Sequence, residues 1–206
     1  MAIRTCLFDM GNVLVYFSHE KMCAQMGALC GRSAPEIRER LLDSGLLSDF
    51  ERGLFSKEEF HRHFEEAVEA RIDFDDLRQA GSDIFWLNEP LVPLLDQLKV
   101  QGHRLVLLSN TSLWHFEIVR HRFDVLQRFD DYVISCEVGA VKPESAIFKA
   151  ALQKIECDPA ECFYTDDVAE YIERGRGFGL QADVFVDAQT LAAHLKDRGV
   201  FLDLNG

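Results

Sequence analysis

The chain has 206 residues, 48% of them hydrophobic, enough to bury one core and a small accessory unit but not two large domains. A formal net charge of −13 argues against nucleic acid and anionic membranes as partners, since both need clustered Lys and Arg to neutralise phosphates. Six cysteines (Cys6, Cys23, Cys30, Cys136, Cys157 and Cys162) form no C-x-x-C pair and read as reduced packing residues. The first apolar stretch is interrupted by Asp9 and no later run reaches membrane length, so a soluble cytoplasmic protein, monomeric or homodimeric, is expected.

The first predicted strand is the apolar run Thr5-Cys6-Leu7-Phe8, which stops at Asp9 and gives way to the turn Met10-Gly11-Asn12. A carboxylate at the carboxyl end of a buried strand sits where α/β sheets bind ligands; capping the turn is its alternative use. From residue 17 to 88 the signals are helical, with no convincing strand. Ser33-Ala34-Pro35-Glu36 and Ser56-Lys57-Glu58-Glu59 fit capping boxes, and Phe60, Phe64 and Val68 recur at four-residue spacing. Beyond this insertion the pattern alternates. Asn88 is expected to cap a helix with Pro90 in its first turn, Leu91, Leu94, Leu95 and Leu98 on its buried face and Gly102 after its end. Strands follow near 104–108, 132–135, 162–165 and 182–186, with helices near 113–126, 144–155, 168–178 and 190–198. Buried strands separated by helices predict an α/β fold, a doubly wound parallel sheet with an inserted small helical unit. The expected division is a core of residues 1–16 and 89–206 and a helical cap of residues 17–88.

Three more polar groups follow apolar runs: Ser109-Asn110-Thr111 after Leu105-Val106-Leu107-Leu108, Lys142-Pro143 after Val141, and Asp166-Asp167 after Cys162-Phe163-Tyr164-Thr165. Ser109 and Asn110, with the amides of a helix start, suit a phosphate oxygen, although such a turn is also ordinary capping. Lys142 is either a site lysine or a solvated one. Asp166 and Asp167 suit a hard cation or cap the next helix.

In this order the motifs resemble the haloacid dehalogenase (HAD) superfamily of phosphohydrolases over nearly the whole chain. Phe8-Asp9-Met10-Gly11-Asn12-Val13-Leu14, Leu108-Ser109-Asn110-Thr111 and Gly139-Ala140-Val141-Lys142-Pro143 are most similar to its bacterial sugar-phosphate (glucose-1-phosphate) phosphatases. The resemblance implies a Rossmann-like core and a cap that closes over the substrate and excludes water. It further implies that Asp9 is the nucleophile and forms an aspartyl-phosphate, with Lys142 also catalytic. Met10, Gly11, Ser109, Asn110 and Lys142 would bind phosphate, while Asp9, the Gly11 carbonyl, Asp166 and Asp167 would hold Mg²⁺. The substrate implied is a small phosphorylated metabolite, a sugar phosphate first.

Gly11 departs from the superfamily pattern, in which a second Asp two residues after the nucleophile transfers protons. Such help is worth about 10²- to 10⁴-fold in rate, so slow turnover is expected unless a water or a cap residue substitutes. His19, His61, His63 and His115 are the substitute candidates, and Phe17, Glu51, Arg52 and Trp86 are candidate cap contacts to substrate. Other readings are a regulatory protein that keeps Mg²⁺ and phosphate binding without turnover, and a haloacid dehalogenase, which the acidic pair disfavours. A phosphonate hydrolase would need Lys21 or Lys57 as a Schiff base.

Overall fold

The protein is described here by a computed structural model covering residues 2–204; Met1, Asn205 and Gly206, which the expected core includes, lie outside the described residues. In chain order the strands are β1 (Thr5–Phe8), β2 (Val15–Phe17), β3 (Phe85–Leu87), β4 (Arg104–Ser109), β5 (Asp131–Ile134), β6 (Cys162–Asp166) and β7 (Gln181–Val184). The helices are α1 (His19–Cys30), α2 (Ala34–Arg38), α3 (Leu46–Glu51), α4 (Lys57–Val68), α5 (Phe74–Ser82), α6 (Val92–Val100), α7 (Leu113–Arg122), α8 (Ser135–Val138), α9 (Ser145–Lys154), α10 (Ala169–Gly177) and α11 (Ala188–Lys196).

Five strands form a parallel sheet in the order β5-β4-β1-β6-β7. Its central strands are continuous apolar runs because both faces are covered, and alternate residues serve opposite cores. Cys6, Phe8, Leu105 and Leu107 pack with Leu95 and Leu98 of α6, Val119 of α7 and Leu195 of α11. Leu7, Val106, Leu108 and Tyr164 pack with Phe148 of α9 and Ile172 of α10. From β1 the chain steps outward through β4 to β5 and then returns to β6 and β7 on the other side. The carboxyl ends of β1 and β6 therefore flank the point where the strand order reverses, which is where open α/β sheets hold ligands.

Helices α1–α5 lie between β2 and β3, and these two strands pair antiparallel with Val15 opposite Leu87 and Phe17 opposite Phe85. Strand β3 corrects the expectation of a purely helical insertion. A three-residue strand shows no period of its own and is defined by its partner. Asn88 is a second correction: its Nδ2 donates to the Val13 carbonyl at 2.7 Å and ties the two neck strands together, so the chain enters α6 through the 3₁₀ turn Glu89–Leu91 without a side-chain cap. At α4 the Ser56 box forms as expected: the Ser56 amide donates to Glu59 Oε2 at 2.8 Å and the Glu59 amide to Ser56 Oγ at 3.1 Å. Among the described residues no helix is long and apolar enough to cross a membrane.

The helical unit is fastened to the sheet edge through α3. Ser135 Oγ donates to the Glu51 carbonyl at 2.5 Å and receives the Thr111 amide at 2.8 Å. Arg52 pairs with Glu144 at 2.8 Å. Gly53, at φ 80°, lies so close to Cys136 that a Cβ would stand 2.2 Å from its carbonyl oxygen.

Candidate active site

Asp9 is the first residue past β1, and its amide continues the ladder to β6 by donating to the Thr165 carbonyl at 3.1 Å. Asp166 ends β6 and is fully buried. Between them lies Lys142, 2% exposed, its Nζ 2.8 Å from Asp9 Oδ1, 2.6 Å from Asp166 Oδ2 and 3.0 Å from the Leu108 carbonyl. Those three acceptors use all three ammonium protons. The solvated-lysine alternative is thereby removed.

Asn110 grips the main chain of Lys142, accepting its amide at Oδ1 (2.7 Å) and donating from Nδ2 to its carbonyl (3.2 Å). Its side-chain amide thus positions Lys142. Ser109 is buried at the end of β4, and Asn110 and Thr111 line the cavity beyond it. Met10 has a buried side chain and a carbonyl that accepts from the Leu14 and Val15 amides.

Tyr164 completes the surroundings of Asp166. Its hydroxyl donates to Asp166 Oδ2 at 2.6 Å, while the Val168 amide donates to Oδ1 at 2.9 Å. The available signal was period two: residues 164 and 166 share a face of β6. Asp166 makes this amide contact as a turn ahead of α10, whose cap position is Val168. Asp167 is half-buried, with Oδ2 accepting from Asn12 Nδ2 at 3.0 Å.

These groups open on a cavity of about 260 Å³. Asp9, Gly11, Asn110, Lys142 and Asp167 line its core side; Phe17, His19, Glu51 and Phe85 line the side built by the helical unit and its neck. A larger cleft of about 580 Å³ runs between α5 and α7, but its Asp83 pairs with Arg122 and Lys21, and its Glu117 with Lys57. Of these two, the cavity at the strand ends has the convergent chemistry.

Burial works against the Lys142 charge, yet the Asp9 and Asp166 carboxylates outweigh it and push the ammonium well above its ordinary value. Burial pushes Asp9 up to about 7 against the pull of Lys142. Glu51 is pushed up to about 8, first by burial and then by the Asp9 charge. His115 is pushed down to about 4 by burial.

Of the four histidines considered, His19 and His115 line the cavity. His115 is buried with Nε2 3.1 Å from the Gly81 carbonyl, and His61 Nε2 lies 2.8 Å from the Ile72 carbonyl. Since a carbonyl only accepts, each of these ring nitrogens donates its N–H. His63 faces Glu66 at 3.5 Å. Of the cap contacts considered, Phe17 and Glu51 reach the cavity. Arg52 is held by Glu144, and Trp86 is half exposed beside Tyr16. Lys21 and Lys57 are held outside the cavity by Asp83 and Glu117. At Gly11 a Cβ would lie 2.9 Å from Phe17 Cε1, so the ring fills the space an acid there would enter.

Asp9, Asp166 and Asp167 each offer a carboxylate oxygen within 4.8 Å of the others. Three carboxylates against one ammonium leave two negative charges, and the donors are hard oxygens; both properties fit a divalent cation such as Mg²⁺.

A haloacid dehalogenase-like hydrolase family model matches residues 3–179. The chain belongs to that family. It is 22% identical over 187 residues to the D-ribitol-5-phosphate phosphatase of Bacteroides thetaiotaomicron, covering 87% of this chain and 90% of that one. It is 22% identical over 153 residues to flavin mononucleotide hydrolase 1 of Arabidopsis thaliana, covering 74% of this chain and 61% of that one. The chain spans less than two thirds of the length of this and other curated relatives. Among solved structures it is similar to a HAD family enzyme of Bacteroides thetaiotaomicron in complex with magnesium and inorganic phosphate, with a TM-score of 0.81, 24% identity and coverage of 90% and 96% of the two chains. At that identity the likeness establishes the fold.

Proposed function

We propose that this chain is a Mg²⁺-dependent phosphomonoesterase acting on a small phosphorylated metabolite, with a sugar or polyol phosphate as the favoured class. The observation that carries the reading is the group at the strand ends: Asp9 facing a 260 Å³ cavity, an ammonium 2.8 Å from it, and two more carboxylates converging within 4.8 Å. The likeness to a D-ribitol-5-phosphate phosphatase supports the substrate class. The same reading takes residues 17–88 as a cap over a core of 1–16 and 89–206.

Phosphoryl transfer needs a nucleophile in line with the leaving oxygen and positive charge on the equatorial oxygens. An oxygen of Asp9 attacks phosphorus as the bond to the leaving oxygen breaks, and water then cleaves the aspartyl-phosphate. Lys142 offsets the charge of Asp9 and of the entering phosphate; Asn110 and Tyr164 keep Lys142 and Asp166 in place. The main chain at Met10 and Gly11 and the Ser109 hydroxyl form the phosphate cradle. Asp9, the Gly11 carbonyl, Asp166 and Asp167 would hold Mg²⁺, which when bound supplies the positive charge that lets two anions meet.

The test is phosphate release from a panel of sugar and polyol phosphates and from p-nitrophenyl phosphate, with Mg²⁺ and with EDTA, for wild type and Asp9→Asn. Mg²⁺-dependent release that disappears in Asp9→Asn is the expected result. Folded wild type that releases nothing from any ester would sink the phosphatase and leave a protein that binds phosphate and Mg²⁺ without turnover.

A further inference from the structure

The site lacks an acid two residues after its nucleophile, and Phe17 occupies the space where one would stand. An alkoxide leaving group still needs a proton. In-line displacement places the leaving oxygen on the far side of phosphorus from Asp9, toward the wall that the helical unit supplies. Asp9, Asp167 and Glu51 are the carboxyl groups among the described residues lining the cavity. The first two belong to the nucleophile and cation positions of the proposed function. Glu51 alone comes from the opposite wall.

We propose that Glu51 is the general acid and base of this active site, donated across the cavity by the helical unit in place of an acid at position 11. The inference rests on the phosphatase reading. Glu51 is the last residue of α3, and the chain is pinned to the sheet edge at three successive residues: the Glu51 carbonyl by Ser135 Oγ, Arg52 by Glu144, and Gly53 by its close approach to Cys136. A proton donor must be positioned to act, and these anchors fix the main chain that carries this one. Burial, first of all, pushes its carboxyl above the usual carboxylate range. His19, the other titratable group on that wall, stands beside Phe17 with ring centroids 4.9 Å apart and is driven toward its neutral form by burial.

The steps balance. As the Asp9 oxygen bonds to phosphorus and the ester P–O bond breaks, the Glu51 proton passes to the leaving oxygen, releasing an alcohol and leaving a Glu51 carboxylate. Water then attacks the aspartyl-phosphate and gives its proton to Glu51. The P–O bond to Asp9 breaks, orthophosphate leaves and both side chains return to their starting states.

The experiment compares kcat/KM of wild type, Glu51→Gln and His19→Gln on two esters. One is p-nitrophenyl phosphate, whose leaving group departs without a proton, and the other is the fastest alkyl phosphate of the panel. Glu51→Gln is expected to lose about 10²- to 10⁴-fold on the alkyl ester and less than about tenfold on the aryl ester, and His19→Gln to leave the ratio between esters unchanged. Equal losses on both esters, no loss on either, or a selective loss in His19→Gln overturns the assignment. So does a wild type that turns over the aryl ester alone. Wild type inert toward both esters is a different failure, that of the phosphatase reading. If Glu51→Gln loses its circular dichroism signature, Glu51→Ala with added acetate decides: recovery on the alkyl ester supports the role, and no recovery overturns it.

Discussion

Lys142 shows how much one buried cation carries. It is 2% exposed between two carboxylates at 2.8 and 2.6 Å, so removing it leaves two buried negative charges facing each other. Breaking a buried pair on one side costs about 3–5 kcal/mol. Lys142→Met is therefore expected to lose that much unfolding free energy in urea titrations along with the proposed phosphatase activity; a variant of wild-type stability would show that the triad is not under charge strain. His115 makes the opposite kind of contribution, because the fold keeps its ring neutral. Its ordinary value is 6.5 and burial holds it at about 4, so between those pH values the unfolded chain takes up a proton that the fold refuses. The stability is present above pH 6.5 and is lost as the pH falls toward 4. Between pH 7 and pH 5 the loss is about 2 kcal/mol, and in His115→Gln the acid-induced drop should be smaller by that amount. An identical drop in both proteins would refute the assignment.

At the scale of elements, α3 and the neck decide the geometry of the cavity wall, and Gly53 is the tightest point between the helical unit and the sheet edge. Its φ of 80° suits glycine, and a Cβ would meet the Cys136 carbonyl oxygen at 2.2 Å. Backbone cannot yield as the end of a flexible side chain can. A left-handed conformation costs a non-glycine residue about 1–2 kcal/mol, and the clash adds to it by pushing α3 off the edge. Gly53→Ala is expected to lower the melting temperature and to raise KM for the alkyl ester more than for p-nitrophenyl phosphate, since the aryl ester asks less of the wall. Unchanged KM for both would mean that α3 does not form the working wall. This is also where legibility ends. Asp9 and the acid pair could be read because each follows an apolar run that ends at one sheet edge, and Lys142 because it stands between Val141 and Pro143 in a loop before α9. Tyr164 was within reach through strand periodicity. Glu51 could be placed among cap contacts but not given a part, because its position depends on how α3 docks against Ser135 and Cys136, contacts between residues far apart in the chain. The three-residue strand β3 and the neck role of Asn88 were hidden for the same reason.

At the scale of the whole molecule, the reversal of strand order beside β1 gathers acids from distant parts of the chain, and the resulting charge excess makes folding and cation binding one equilibrium. The parallel sheet was legible because buried strands and intervening helices alternate along the sequence, whereas the convergence of Asp9, Asp166 and Asp167 within 4.8 Å depends on strand register. Lys142 offsets one of those three charges and a divalent cation would offset the other two. A ligand that binds only the folded state stabilises it by about 2.7 kcal/mol at a hundred times its dissociation constant. For a chain of this size each kcal/mol moves the melting temperature by about 2–4 °C, so saturating Mg²⁺ should raise it by about 5–11 °C, and EDTA should reverse the rise. Asp167→Asn removes one ligand while leaving the buried Lys142 triad intact, so it should weaken the response to Mg²⁺ without lowering the melting temperature in EDTA. A wild-type melting temperature indifferent to Mg²⁺ would refute the cation site, and a response unchanged in Asp167→Asn would move the cation away from the end of β6.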